Sequence, residues 1–213
     1  MTERLNEIFS AIPKCEVFAD IGCDHGLMTE AMLKSGKCSK AIVSDVSQKC
    51  LEKAQALLSE YIDKGMVISV VSDGFDNLPE SDCALIAGMG GEEICSIIKR
   101  AKNLPKTLVL QPMKNTDKVR VTAVEIGYKI VKDYLFYSGK IFYDLLILTL
   151  GNDTLTKEEI EFGRTNLEKR PSAFVEKLKI RIAKIDEYLK NPALSEQTKN
   201  EMAEEKIKLE KYV

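Results

Sequence analysis

The sequence predicts an α/β fold with a mostly parallel sheet, an antiparallel final strand and a helical segment at the C-terminus. Five short apolar runs alternate with segments that have the apolar spacing of amphipathic helices. Two longer strand-like runs follow, Tyr128–Phe136 and Ile141–Leu150, with a Ser-Gly turn between them. Past Gly151 only helical periodicity continues. Alternating strands and helices are typical of a parallel sheet with helices on both faces.

The composition is that of an ordinary globular protein. The 213 residues are 45% hydrophobic and 30% charged, with a formal net charge of -2, so any nucleic-acid contact must use a local basic patch. The six cysteines form no Cys-x-x-Cys pair and His25 is the only histidine, which argues against a zinc site. The N-terminus lacks a signal-peptide pattern, and no apolar run is long enough to span a bilayer. We therefore expect a reduced, cytoplasmic protein.

The first elements are a helix, a strand and a glycine turn. Apolar residues recur at helical spacing from Leu5 to Ile12, which predicts an amphipathic helix that ends before Pro13. The apolar run Val17–Ile21 predicts a strand, and it leads into Gly22 and Gly26. Glycine tolerates positive φ and lets a ligand lie against bare backbone, while the start of the next helix presents unpaired N–H groups. We expect this turn to hold a cofactor.

The following segment predicts four more strands and three helices. The predicted strands are Ala41–Asp45, Val67–Val71, Cys83–Ala87 and Thr107–Leu110, and the predicted helices cover residues 47–63, the region around 94–98 and residues 119–126. Ligands of such sheets bind at the carboxyl ends of the strands. The residues at these ends are Asp20 to Gly26, Asp45, Asp73 and Gly74, Gly88 to Gly91, and Gln111 and Pro112.

The C-terminal segment predicts a helical hairpin. Apolar residues step by three and four from Phe174 to Leu189, Asn191-Pro192 breaks the helix, and a returning helix covers Met202 to Val213. Another helix is predicted over residues 157–167. Because residues 152–213 carry both positive and negative charges, we favour a helical bundle that supports the first domain over a segment that binds RNA. We divide the chain into a domain of residues 1–151 and a coiled-coil-like helical domain of residues 152–213.

Acidic residues and glycines at the strand ends suit a nucleotide cofactor. Asp45 ends the second strand, where an acid accepts ribose hydroxyls; its alternative role is that of a helix N-terminal acid. Asp73 and Gly74 suit an adenine ring, or form an ordinary turn. The three glycines within Gly88–Gly91 allow either a close approach of backbone to a ligand or a sharp turn, and we favour the former.

Asp24 and His25 form a polar pair inside the first glycine turn. His25 either satisfies a backbone group or contacts substrate or cofactor, and its residue type does not separate the two. A single histidine gives no confident Ser-His-Asp triad. Cys23 is interpreted as a small buried residue rather than a nucleophile.

Three motifs and the helical tail give the chain a resemblance to a known family. They read Ala-Asp-Ile-Gly-Cys-Asp-His over 19–25, Ile-Ala-Gly-Met-Gly-Gly over 86–91 and Leu-Gln-Pro over 110–112. The sheet with its antiparallel finish resembles the Rossmann-like fold of class I S-adenosylmethionine-dependent methyltransferases. The motifs resemble those of the TrmK family, bacterial tRNA adenine-N1 methyltransferases that act on position twenty-two in the D-loop. The similarity covers nearly the whole chain.

The resemblance implies S-adenosyl-L-methionine as methyl donor, tRNA as substrate and a C-terminal domain that helps to position the tRNA. From the cysteine and histidine pattern we expect no metal, and we expect a monomer or a weak homodimer. We expect Asp24, His25 and Gln111 to act in catalysis. The residues expected to bind the cofactor, from the motifs and the strand ends together, are Asp20, Gly22, Cys23, Gly26, Asp45, Val46, Asp73, Gly74, Gly88, Met89 and Gly90.

One departure from the family pattern leaves alternatives open. Met113 follows Gln-Pro where the family has asparagine, which removes an amide from the predicted catalytic rim, although Asn115 is close in sequence. The alternatives are a methyltransferase for another RNA base or a small molecule, and a catalytically inactive module that binds RNA or a partner. A nucleotide-linked dehydrogenase is disfavoured by the antiparallel finish. Lys114, Lys118 and Arg120 are candidates for phosphate contacts.

Overall fold

The computed structural model describes all 213 residues and contains one seven-stranded sheet. The strands are β1 (Val17–Ile21), β2 (Lys40–Asp45), β3 (Val67–Val71), β4 (Cys83–Met89), β5 (Thr107–Pro112), β6 (Tyr128–Ser138) and β7 (Ile141–Leu150). Their order is β3-β2-β1-β4-β5-β7-β6. Strands β1 to β5 are parallel, and β7 is antiparallel to both β5 and β6. The predicted fold class is therefore confirmed.

Helices cover both faces of the sheet. They are α1 (Glu3–Ala11), α2 (Leu27–Lys34), α3 (Gln48–Asp63), α4 (Gly91–Arg100), α5 (Thr116–Glu125), α6 (Lys157–Phe162), α7 (Arg164–Lys169), α8 (Ser172–Leu189) and α9 (Glu196–Glu210). Helices α1, α2 and α3 pack on one face around Ile8, Met32 and Leu58. Helices α4 and α5 pack on the other face around Ile94 and Val119. Strands β2 and β3 are added on one side of β1, and β4 and β5 on the other. Ligands of such sheets bind where the strand order changes direction, which here is at the carboxyl ends of β1 and β4.

Three strands end later than the sequence predicted: β6 continues to Ser138, and β4 and β5 extend at the ligand edge. Strand β4 continues to Met89 and β5 to Pro112, and these two residues pair with each other. The register shifts between Ala87 and Met89, so Gly88 lies in a bulge, with a φ of +82°, rather than beyond the strand end. The bulge changes the direction of the backbone at the tip of β4, at the edge of the sheet where ligands bind.

The C-terminal helices form a third apolar cluster against β6. Leu135 of β6 packs with Phe162, Phe174, Leu178 and Leu209. The single helix predicted over 157–167 is instead two helices, α6 and α7, because the chain turns at Gly163 with a φ of +85°. A Cβ at Gly163 would lie 2.6 Å from the Asp133 carboxylate, so this turn admits only glycine. The division of the chain at residue 151 into two domains stays a prediction.

The side chain of Arg120 forms hydrogen bonds both to strands of the sheet and to the C-terminal helices. Its side chain is only 1% exposed and pairs with Asp133 through two hydrogen bonds of 2.6 and 3.0 Å. It also reaches Asp144 at 3.2 Å and donates to the carbonyls of Ile160 and Glu161. All of these partners are protein groups, so the sequence-based expectation that Arg120 contacts phosphate is wrong. Its environment is instead that of a buried ion pair.

No helix of this protein is both long and apolar enough to cross a lipid bilayer. No three His, Cys, Asp or Glu side chains come together in an arrangement that would hold a metal ion.

Candidate functional site

The first glycine turn lies between β1 and α2 and is held against β2. The N–H groups of Gly22 and Cys23 both donate to the carbonyl of Ser44, at 2.8 and 3.0 Å. Gly22, Asp24 and Gly26 all have positive φ, which aspartate adopts more readily than most residues other than glycine. Gly26 begins α2 without a side-chain cap. The N–H groups of Leu27 and Met28 in the first turn of α2 are therefore available to a ligand, whereas that of Thr29 bonds Asp20.

Asp20 lies buried beneath this turn. Its Oδ2 accepts a hydrogen bond of 2.9 Å from Thr29 Oγ1, and the residue is 5% exposed. Burial raises the pKa of Asp20 to about 6, although the hydrogen bonds from Thr29 oppose the shift. An ionised carboxylate in this position destabilises the folded chain unless a donor or a cation approaches it.

We expect Asp20→Asn to stabilise the protein at neutral pH. The pKa of Asp20 is about 6 in the folded state and 3.8 in the unfolded state. Above pH 6 the carboxyl is therefore ionised in both states, but only the folded state buries the charge, which lowers the free energy of unfolding. This penalty is about 3 kcal/mol, and it disappears as the pH falls from about 6 to about 4 because the folded carboxyl then takes up its proton first. The free energy of unfolding, measured with urea, should exceed that of the parent at about pH 7.5 and match it at about pH 4. An equal difference at both pH values would contradict this account.

Asp45 and Val46 lie at the tip of β2. One carboxylate oxygen of Asp45 accepts the backbone N–H of Ser47 at 2.8 Å, and the other lies 3.4 Å from the backbone N of Asp24. Asp45 thus fills the structural role of a helix N-terminal acid and also touches the glycine turn. Val46 beside it is 67% exposed, which leaves an apolar surface next to the acid. Such a pair of groups suits a ribose and the ring attached to it.

Asp73 and Gly74 follow β3, and both have protein partners. Asp73 forms an ion pair with Arg100 of α4. Gly74 has a φ of +69°, and a Cβ there would lie 2.7 Å from Ile97. Packing against α4 alone therefore requires glycine at this position. These contacts favour an ordinary turn at Asp73 and Gly74 over a contact with an adenine ring.

The second glycine segment, Gly88–Gly91, connects β4 to α4 and meets the first one. The terminal methyl of Met89 lies 2.2 Å from the position of a Cβ on Gly22, so it covers the first glycine of the turn. Gly91 is pressed against the backbone carbonyls of Lys114 and Asn115, each 2.5 Å from a Cβ position. No side chain fits there. The backbone of α4 is thereby locked to the loop after β5.

Gln111 is fully buried, and both ends of its amide bind protein groups. Its Oε1 accepts a hydrogen bond of 2.9 Å from Arg4 Nε, and its Nε2 donates to the carbonyl of Pro112 at 2.9 Å. Met113, beside it, is 46% exposed. The amide predicted to act in catalysis therefore faces Arg4 rather than an open site.

Arg4 was missed by the sequence analysis. It precedes Ile8 by one helical turn, and Ile8 is completely buried. A cation on the apolar face of a helix is the one local signal that could have identified it. Its partner Gln111 is 107 residues away in sequence.

Asp24 and His25 form an exposed pair at the rim of the first turn. His25 Nδ1 lies 2.8 Å from Asp24 Oδ2, with side-chain exposures of 52% and 66%. Cys23 is buried, and burial raises the pKa of its thiol. It is therefore a poor nucleophile, which agrees with its interpretation as a packing residue.

A cleft of about 620 Å³ lies between the loop after β5 and the C-terminal helices. Met113, Lys114 and Asp117 line one wall, and Phe174 and Lys177 of α8 line the other. A second cavity, of about 880 Å³, is lined by residues 75–81 and 102–106 at the amino ends of β4 and β5. The 620 Å³ cleft reaches the tip of β5 at Pro112, and no residue of the two glycine segments lines either cavity.

Comparison with known proteins agrees with this geometry. Residues 1–146 match a family model described as a methyltransferase domain. A protein of Mycoplasma genitalium named "Putative tRNA methyltransferase" is 32% identical over 174 residues, which cover 76% of this chain and 77% of that protein. The tRNA (adenine(22)-N(1))-methyltransferase of Bacillus subtilis is 25% identical over 162 residues, 71% of this chain and 66% of that enzyme.

The solved structures include close matches in fold. The structure of M. capricolum TrmK with its cofactor product S-adenosyl-homocysteine has a TM-score of 0.86 and 23% identity, and the match covers 100% of this chain and 97% of that one. Since the family model spans most of the chain and the Mycoplasma relative exceeds 30% identity, the chain belongs to the methyltransferase-domain family and, within it, to the tRNA methyltransferases.

Proposed function

We propose that this protein transfers a methyl group from S-adenosyl-L-methionine to N1 of adenine 22 in the D-loop of bacterial tRNA. The observation that carries the proposal is the meeting of the two glycine segments at the tips of β1 and β4, where Met89 covers Gly22. The Bacillus subtilis relative is named for this reaction. A tRNA substrate is consistent with an enzyme of the cytoplasm.

The residues at the strand tips suit S-adenosyl-L-methionine. The N–H groups at the start of α2 and the buried carboxylate of Asp20 suit a zwitterionic amino acid, with the carboxylate complementing its ammonium group. Asp45 and the exposed Val46 suit its ribose and adenine. The flexible end of Met89 can move off Gly22 without backbone change, so the turn can open to a ligand. We assign Asp73 and Gly74 a supporting role.

The chemistry requires alignment and charge stabilisation more than proton transfer. S-adenosyl-L-methionine supplies an electrophilic methyl group when bound. N1 of adenine has a lone pair in the ring plane and lies on the Watson–Crick edge, so the base must leave its stack to reach the site. No strong base is needed, and the chain contributes orientation and electrostatics. The carboxylate of Asp24 would stabilise the positive charge that develops on the base, and His25 would hold that carboxylate in place.

The other predicted catalytic residue, Gln111, acts through Arg4 in this proposal. Because its Nε2 is buried and donates to the Pro112 carbonyl and to Met113 Sδ, it cannot donate to the base without breaking one of these contacts. We therefore assign it a positioning role. The 620 Å³ cleft beside Met113 is the proposed path of the tRNA, and the helical segment of residues 152–213 forms its far wall.

The proposal is tested by incubating the protein with labelled S-adenosyl-L-methionine and unmodified bulk tRNA, followed by nucleoside analysis. We expect label in 1-methyladenosine. Label in another nucleoside would reassign the target base. Cofactor binding without any transfer to tRNA would favour an inactive binding module or another substrate.

A further inference from the structure

Arg4 is held at the tip of β4 by neutral groups alone. Its Nε donates to Gln111, and its guanidinium lies 5.4 Å from the centre of the Tyr143 ring. Its Nη2 lies 3.0 Å from the position of a Cβ on Gly88. Arg4 takes part in none of the ion pairs of the structure. One of its five N–H donors is used, and the four terminal ones are left for a ligand.

Lys114 approaches the same segment next to Gly90. Its Cε lies 3.4 Å from the position of a Cβ on Gly90. It too forms no ion pair, unlike Lys118 one turn further on, which pairs with Glu92. Two cations without carboxylate partners therefore flank a glycine segment whose exposed member, Gly88, lies at the rim of the candidate site.

We infer that Arg4 and Lys114 together bind a backbone phosphate of the tRNA beside the target adenine. An arginine fork with free terminal donors matches two oxygens of a phosphate, and a lysine adds a point charge. The glycine segment between the two cations has no side chains other than Met89, so a phosphate can come close to both. This inference rests on the proposed tRNA substrate.

The phosphate site shares the second glycine segment with the proposed cofactor site, but its charged groups are different. The polar groups that suit the ammonium group, the ribose and the adenine of the cofactor lie at the tips of β1 and β2, and Asp20 provides a negative charge there. Arg4 and Lys114 lie at the tips of β4 and β5, on the side of the cleft of about 620 Å³, which Lys114 lines. An anion at this second position belongs to the substrate rather than to the carboxylate of the cofactor.

The test measures the dissociation constant of an unmodified tRNA transcript at several salt concentrations for the parent, Arg4→Gln, Lys114→Gln and Lys14→Gln. Phosphate contacts make the logarithm of affinity fall with the logarithm of salt concentration. We expect Arg4→Gln and Lys114→Gln each to weaken binding about tenfold and to reduce the salt slope by about one. Lys14→Gln is the matched control, because Lys14 is an exposed cation before β1, at the opposite edge of the sheet.

The affinity for S-adenosylhomocysteine, measured by calorimetry, identifies the source of the anion. It should be unchanged in Arg4→Gln. A loss of S-adenosylhomocysteine affinity with an unchanged tRNA salt slope would assign Arg4 to the cofactor and overturn the inference. If the parent binds and methylates tRNA, and Arg4→Gln and Lys114→Gln have the same tRNA affinity and salt slope as Lys14→Gln, the phosphate site is wrong and the proposed function is not affected. A parent that neither binds nor methylates tRNA would overturn the proposed function with it.

A second variant guards against misfolding of Arg4→Gln. Gln111→Glu keeps Arg4 but places a carboxylate against its Nε, which forms an ion pair with the guanidinium and lowers the net charge of the site by one. It should reproduce the loss of salt slope seen with Arg4→Gln, since both remove one net positive charge from the site. A Gln111→Glu variant that retains the parent slope would contradict the role of Arg4.

Discussion

Replacing Asp24 by asparagine should lower the turnover number of methyl transfer on the order of a hundredfold. Its carboxylate is the exposed negative charge at the rim of the first glycine turn, and the methylated adenine carries a positive charge. Asparagine tolerates the positive φ of +48° at this position, so the backbone of the turn is kept. The contact with Asp45 comes from the backbone N–H of Asp24 and survives the change. The dissociation constant of S-adenosylhomocysteine should therefore change less than about twofold.

The control for this variant is Asp63→Asn. Asp63 is an exposed acid at the end of α3, at the opposite edge of the sheet. It changes the net charge by the same amount and should leave turnover at the parent value. Full turnover in Asp24→Asn, or an equal loss in Asp63→Asn, would remove Asp24 from the reaction.

Replacing Arg120 by methionine should lower the free energy of unfolding by about 3–5 kcal/mol. The change leaves the Asp133 carboxylate, which is 1% exposed, without its cation. It also removes the donors to the Ile160 and Glu161 carbonyls near the end of α6. Urea unfolding followed by circular dichroism measures the effect.

Lys118→Met is the matched control on the same helix. Lys118 forms an exposed ion pair with Glu92, and its loss should cost less than about 1 kcal/mol. Adding Asp133→Leu to Arg120→Met should recover part of the lost stability, because it removes the uncompensated buried charge. A double variant less stable than Arg120→Met would show that the apolar replacement does not fit, and equal losses in Arg120→Met and Lys118→Met would contradict the buried-pair account.

The parts of the fold that follow from local periodicity could be predicted from the sequence. Strand β7 runs over Ile141–Leu150 as predicted, because its apolar residues and the Ser-Gly turn before it are both local signals. Helix α3 lies within the predicted range 47–63, and Ser47 caps it, since its hydroxyl accepts from the Cys50 N–H. The two glycine segments could be placed at one edge because parallel strands bring their carboxyl ends together.

The parts that depend on distant partners could not be predicted. Nothing in the residues around Arg120 shows that two aspartates on later strands will bury it. The break at Gly163 is set by contact with Asp133, thirty residues earlier, as well as by its own sequence. The pairing of Arg4 with Gln111 joins the first helix to the fifth strand, and hydrophobic periodicity contains no information about it.

Methylation of N1 of adenine 22 is tested with two transcripts of one tRNA, with adenine or guanine at position 22, incubated with the protein and S-adenosyl-L-methionine. We expect about one equivalent of 1-methyladenosine in the adenine transcript and none in the guanine transcript. Equal amounts of 1-methyladenosine in both transcripts, or none in either, would contradict this expectation.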